Sequence, residues 1–323
     1  MRRRGDRTVM SSVLRVPRLS GCLVLWLCAC GSNTTEPPPI DTPQPPHQPP
    51  RDSVVMIDQG HNNFHTVDGR YAPFANALRT LGYTVRPYNG LFRSDSLATG
   101  RTLVISNALA PRNASGDWSL PTPSAFTAEE IATVRAWVEG GGSLLLIADH
   151  MPFPGAASEL ALVFGLRFNN GFALDTTRLA QPVTCLEPHQ IDVFRRADGS
   201  LREHEIVNGR TTAERVDSVG TFTGQAFQVD TGWEPLLVFG RNTVSLMPDT
   251  AWIFNAATPR VPVEGWAQGA VRRFGSGRIA AFGEAAMFSE QTCGSNRPMG
   301  MNAPAAAQNR RLLGNLIAWL TAR

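Results

Sequence analysis

The chain has 323 residues and is 42% hydrophobic, which excludes a disordered chain and allows one large domain or two small ones. Its formal charge of +3 misleads: all 30 basic residues are Arg, and six of them, Arg2 to Arg18, precede residue 20, so the remainder is near neutral. With no basic run beyond the N-terminus there is no electrostatic footprint for nucleic acid, and none is expected as a partner.

Residues 1–30 read as an export signal. Arginines precede a short apolar run from Gly21 to Leu27, which is too short to span a bilayer as a mature helix but suits a signal-peptide core. Leu27-Cys28-Ala29-Cys30-Gly31 resembles the bacterial lipobox, although Cys28 is an unusual occupant. The resemblance implies acylation of Cys30, a membrane as partner, and a lipid-anchored place in the bacterial cell envelope. Gly31 supplies no inner-membrane retention signal, so the outer membrane is expected. The plainer alternative is a cleaved signal and a secreted protein. Residues 31–52 carry Pro37-Pro38-Pro39, Pro45-Pro46 and Pro49-Pro50 among polar residues, the composition of an extended tether.

Residues 53–323 form the remaining domain. Val54-Val55-Met56-Ile57 reads as a buried parallel strand ending in Asp58, with His61, His65 and Asp68 just beyond it. A helix is predicted over 70–81, ended by Gly82, then strands over 83–87 and 101–106. Thr127 and Glu130 form a capping box for a helix whose apolar face is Ile131, Val134 and Val138, and Gly140-Gly141-Gly142 ends it. The strand 143–147 follows and leads into Asp149-His150. This order predicts a doubly wound, flavodoxin-like α/β domain with a mostly parallel sheet. A short helix is expected over 155–164, and the less regular stretch from 166 to 265 reads as strand-rich additions to the same domain, with strands over 235–239 and 251–254; a separate small domain is the alternative. Two strands joined by Gly275-Ser276-Gly277 follow, the second ending at Glu284. Asn302 is placed to cap a last helix reaching Leu320.

Three strand ends thus carry acids, Asp58, Asp149 and Glu284, and two add imidazoles, His61, His65 and His150. Strands of one parallel sheet end on the same side, so these groups are expected to converge on a cleft and share ligand and general-base roles. Mixed carboxylate and imidazole donors suit zinc, manganese or iron, with His61, His65, His150 and Asp149 as the metal set. The bland alternative is that the acids cap amides and the histidines are fixed surface groups. Cys185 and Cys293 can form a disulfide in an oxidising compartment, or remain two thiols.

The segments 58–65, 74–85, Trp137 to His150, Gly275 to Glu284 and Asn309 to Leu320 resemble the class I glutamine amidotransferase-like superfamily, and within it trehalose-utilisation-like domains and related bacterial envelope proteins. Enzymes of that superfamily hold a nucleophilic Cys after the strand that here ends in Asp149-His150. No Cys lies between Cys30 and Cys185, so the resemblance implies the fold without glutamine amidotransferase activity. Two functions are expected from it: binding of a small polar or carbohydrate ligand, or metal-dependent or acid/base hydrolysis of a glycan or other small polar substrate.

Overall fold

The apolar run after Ser53 forms strand β1 (Val54–Asp58), and its residues alternate between two buried cores, so both faces of the sheet are covered. The computed structural model describes residues 53–178, 191–293 and 296–322; the segments expected to be signal peptide and tether, with Cys30, and Cys185 lie outside the described residues. Helix α1 (Ala72–Thr80) leads to β2 (Thr84–Tyr88), and the short α2 (Ser94–Leu97) to β3 (Thr102–Ser106). Then come α3 (Pro111–Ala114), α4 (Ala128–Glu139), β4 (Ser143–Ile147) and α5 (Phe153–Leu162). The second half is strand-rich: β5 (Leu166–Phe168), β6 (Phe172–Asp175), β7 (Ile191–Arg195), α6 (Glu205–Asn208), β8 (Ser218–Phe222), β9 (Phe227–Val229), β10 (Glu234–Val238), β11 (Thr243–Leu246) and β12 (Arg260–Pro262). It closes with β13 (Ala267–Phe274), β14 (Gly277–Phe282), β15 (Glu290–Cys293), β16 (Arg297–Gly300) and α7 (Asn309–Thr321).

The main sheet runs β2-β1-β3-β4-β14-β13-β9-β5, with β10 also on β13. From β2 to β14 every pairing is parallel; from β14 outward it is antiparallel. This is the doubly wound, mostly parallel α/β sheet expected, with the strand-rich additions in the second half. Val55, Ile57, Leu145 and Phe282 pack under α1 and α7, while Met56, Leu103, Leu146 and Ala281 pack under α2, α4 and α5. Among the described residues no helix is long and apolar enough to cross a membrane.

Local chemistry explains the boundaries. The Thr127–Glu130 capping box is present in full at the start of α4. At its end, a Cβ on Gly277 would run into the carbonyls of Gly142 and Val138, so the glycines on both sides let the β13–β14 turn lie against the helix terminus. Ser143 Oγ donates to Leu320 O at 2.6 Å and Arg278 to Ala322 O at 2.7 Å, satisfying terminal carbonyls of α7.

Two expected elements differ. The last helix starts at Asn309, because Pro304 holds Ala303 extended and opens a separate 3-10 turn. Asn302 therefore does not cap it. Residues 251–254 turn rather than run as a strand, with Trp252 in the left-handed region at φ 67°.

Candidate functional site

The loops that follow β1 and β3 zip together at the carboxyl edge of the sheet. Leu109 N–H donates to His61 O at 2.9 Å and Phe64 N–H to Asn107 O at 2.9 Å. Both loops turn through left-handed asparagines, Asn62 at φ 48° and Asn107 at φ 53°, a conformation Asn tolerates better than most side chains.

The carboxylates and imidazoles of this edge separate into two groups. In the first, His61 is buried between two acids: Nδ1 lies 2.9 Å from Asp58 Oδ2, and Nε2 lies 2.8 Å from Glu130 Oε1. Glu130 Oε1 also accepts the Phe92 N–H at 3.0 Å, and Oε2 accepts from the Thr127 amide and hydroxyl. Burial works against a charged ring here, but the hydrogen bonds and charge of Asp58, and then of Glu130, outweigh it, and the His61 pKa is raised. Glu130 is likewise pushed up by burial but held low by the Thr127 amide, His61 and the Phe92 amide. His61 is thus an imidazolium strut joining β1, α4 and the loop after β2. Neither it nor Asp58 lines the cavity described next.

That cavity, about 540 Å³, opens beside the ends of β4 and β14. Its polar wall includes His65, Asn107, Asp149, His150 and Glu284, and its aromatic wall Phe64, Trp118, Phe153 and Trp252. The β15–β16 hairpin contributes Thr292, Cys293, Arg297 and Met299, and Arg70 comes from the loop after β1. Cys293 is disulfide-bonded, which fixes one side of the hairpin.

Asn107 sets the chemistry of this wall. Its Oδ1 accepts the Asp149 N–H at 2.9 Å, so Nδ2 is a donor, and at 3.3 Å from His65 Nδ1 it requires that nitrogen to accept. The proton of neutral His65 is therefore on Nε2, which is buried and has no partner among the described residues. Burial first, then the charges of Arg70 and His150, lower the His65 pKa to about 3, so the ring stays neutral. Glu284 is fully buried at the end of β14, accepting the Ala286 and Met287 amides at 2.6 and 2.8 Å. Burial and the neighbouring Asp149 charge nevertheless raise its pKa well above the carboxylate range, so it holds a proton. Asp149 accepts the His150 amide at 2.8 Å and the Ala285 amide at 3.4 Å. His150 Nδ1 faces Met151 O at 2.8 Å; a carbonyl only accepts, so the neutral ring carries its lone pair on Nε2. The ring stacks on Phe172 and meets Trp252 edge to face, with centroids 4.6 Å away in each case.

The expected metal set does not assemble. His61 has both nitrogens on carboxylates, and His65 has Nδ1 taken by Asn107 and its proton on Nε2, so neither offers a lone pair beside Asp149 and His150. Among the described residues no three His, Cys, Asp or Glu side chains are grouped to hold an ion. Of the three acidic strand ends, Asp149 and Glu284 share the cavity, whereas Asp58 is turned to His61. Sequence reasoning missed Asn107, Arg70, Arg297, Trp118, Trp252 and the role of Glu130. Asn107 had a signal, since it directly follows another parallel strand end; Arg70, Trp118 and Trp252 come from loops, Arg297 from the short β16, and Glu130 was legible only as a cap of α4.

The chain matches no protein-family model, and no curated protein matches it in sequence. Among solved structures it is similar to the mmIFT52 N-terminal domain, with a TM-score of 0.57 at 14% identity, over 83% of this chain and 98% of that one. A cytoplasmic protein from Salmonella typhimurium gives 0.48 at 14% identity, over 83% and 98%. A ThuA-like protein from Bacteroides uniformis gives 0.45 at 10% identity, over 84% and 91%. At these identities the likeness concerns the fold alone.

Proposed function

We propose that this chain is a lipid-anchored envelope protein whose α/β domain binds a small polar ligand of carbohydrate type in the cavity at the ends of β4 and β14. The observation that carries this reading is the composition of the cavity: flat aromatic side chains set among polar groups, including a buried Nε2–H on His65 with no acceptor among the described residues. Aromatic faces cover the apolar faces of sugar rings, and a few fixed donors and acceptors orient them. Titration of the protein with neutral and charged mono- and disaccharides, followed by tryptophan fluorescence, tests it. Saturable quenching that Trp252→Ala and Trp118→Ala weaken is expected; no saccharide producing a change in the folded protein would sink it. The anchor is tested by Cys30→Ser, which should move the protein from the membrane to the soluble envelope fraction.

The runner-up is acid/base hydrolysis of a glycan. It is favoured by one observation, a protonated Glu284 close to the Asp149 charge with the His150 Nε2 lone pair on the same cavity. In that reading His150 Nε2 takes a proton from water and Glu284 supplies one to the leaving oxygen. Release of reducing ends from a bound oligosaccharide, abolished by His150→Ala with binding retained, would support it; bound ligand recovered intact after prolonged incubation would refute it.

A further inference from the structure

Arg70 and Arg297 come from opposite ends of the domain, one after β1 and one on β16, yet they line the same cavity. Other arginines of this near-neutral chain pair with acids, among them Arg112 with Asp117, Arg210 with Glu214 and Arg310 with Glu290. Neither Arg70 nor Arg297 has such a partner among the described residues. Arg70 instead stands 4.1 Å over the Phe64 ring, which holds its guanidinium at the mouth. Arg297 pairs in register with the disulfide-bonded Cys293, so the hairpin carrying it is pinned.

Against these two cations the cavity presents, among the described residues, one acidic charge, Asp149, which acts on Arg70 and whose oxygens already accept two backbone amides; Glu284 is protonated and His65 neutral. The unsatisfied Nε2–H of His65 adds a buried donor that calls for an acceptor. Trp252 completes the picture. A Trp at φ 67° is a strained backbone position, and it keeps the ring on the cavity wall, 38% exposed, edge to face with His150 and Phe172.

We infer that the cavity selects a carboxylate-bearing saccharide over its neutral counterpart, with Arg70 and Arg297 receiving the carboxylate and Trp252 covering a sugar face. This rests on the reading that the cavity is the ligand site, and it adds the charge of the ligand. Two guanidiniums suit a carboxylate better than any neutral hydroxyl, because a charge-assisted hydrogen bond is roughly twice as strong as a neutral one.

The test is calorimetric titration of the full-length protein with a digalacturonate and with the neutral digalactose of the same linkage. The digalacturonate is expected to bind at least about tenfold tighter. Its advantage should shrink in Arg70→Gln, in Arg297→Gln and at raised salt, and be largely retained in Arg297→Lys, while Trp252→Ala weakens both sugars alike. Equal affinity for the two disaccharides overturns the charge selectivity and leaves the sugar-binding reading standing. Tight digalacturonate binding that neither Arg variant alters overturns the assignment to these residues. Binding of neither sugar overturns the sugar-binding reading and this inference with it. Thermal melts of each variant separate a lost ligand from a lost fold.

Discussion

Two clusters on the same sheet edge use the same chemical parts, one imidazole and two carboxyl groups, to opposite ends. Around His61, the ring donates to Asp58 and Glu130, and every group is paired. Around His65, an asparagine takes one ring nitrogen, the other is left without an acceptor, and the nearby acids Asp149 and Glu284 are bonded to backbone amides instead. Both histidines are buried, so burial does not decide between them. What decides is the partner: carboxylates on both nitrogens raise one pKa, whereas a neutral amide with Arg70 and His150 nearby leaves the other lowered to about 3. The closed cluster is architecture, and the open one is available to a ligand.

The largest effect expected from breaking this contrast is in the closed cluster. His61→Ala would leave Asp58 and Glu130 facing each other in the interior, and urea unfolding should show a loss of about 3 to 5 kcal/mol. The triple variant with Asp58→Asn and Glu130→Gln should recover part of it; a small loss in the single variant would mean that the strut carries no load.

Next is Asn107→Ala. It removes the acceptor for the Asp149 amide and the donor to His65, at about 1 to 3 kcal/mol for each orphaned group, and it puts Ala at φ 53°. The same variant should weaken ligand binding, since it frees the His65 tautomer. His61→Ala should not do so in whatever fraction remains folded.

The pH dependence separates the clusters by sign. His61 binds its proton more tightly folded than unfolded, so its contribution is full below about 6.5 and lost as pH rises through its raised pKa. His65 does the reverse: the folded ring refuses a proton that the unfolded one takes, so stability is full above about 6.5 and falls as pH drops toward 3. Unfolding measured across pH should therefore lose its acid-side slope in part in His65→Gln and its alkaline-side slope in part in His61→Gln. Imidazole NMR that finds both rings titrating together near 6.5 would erase the distinction.

Smallest should be the change in stability on Trp252→Gly. Lost ring contacts are offset by release of a left-handed strain of roughly 1 to 2 kcal/mol, so the net change should stay within about 1 kcal/mol while ligand binding falls. A loss of several kcal/mol would make Trp252 a core residue.

The parallel half of the fold was legible because β1, β3 and β4 are built on continuous apolar runs and α4 announces itself with a capping box and a glycine stop. Of the site, Asp149, His150 and Glu284 were legible by the same logic, since each follows a parallel strand. Asp58 and His61 satisfied that logic too and yet belong to the strut, because their partner Glu130 is a long-range contact that no local spacing reveals. Arg70, Arg297 and Trp252 were not legible: a cation without a partner, or a tryptophan in the left-handed region, is defined by what surrounds it.

The placement of β14 has a consequence for how this chain becomes a protein. The strand is laid between β4 and β13 in the middle of the sheet, although in sequence it follows β4 only after the whole strand-rich stretch. Until then β4 presents an open row of backbone donors and acceptors, and the face that α7 will cover is bare. The first half therefore cannot complete its sheet during synthesis, and a chain ending before Gly277 should aggregate through β4 rather than fold as a shorter domain.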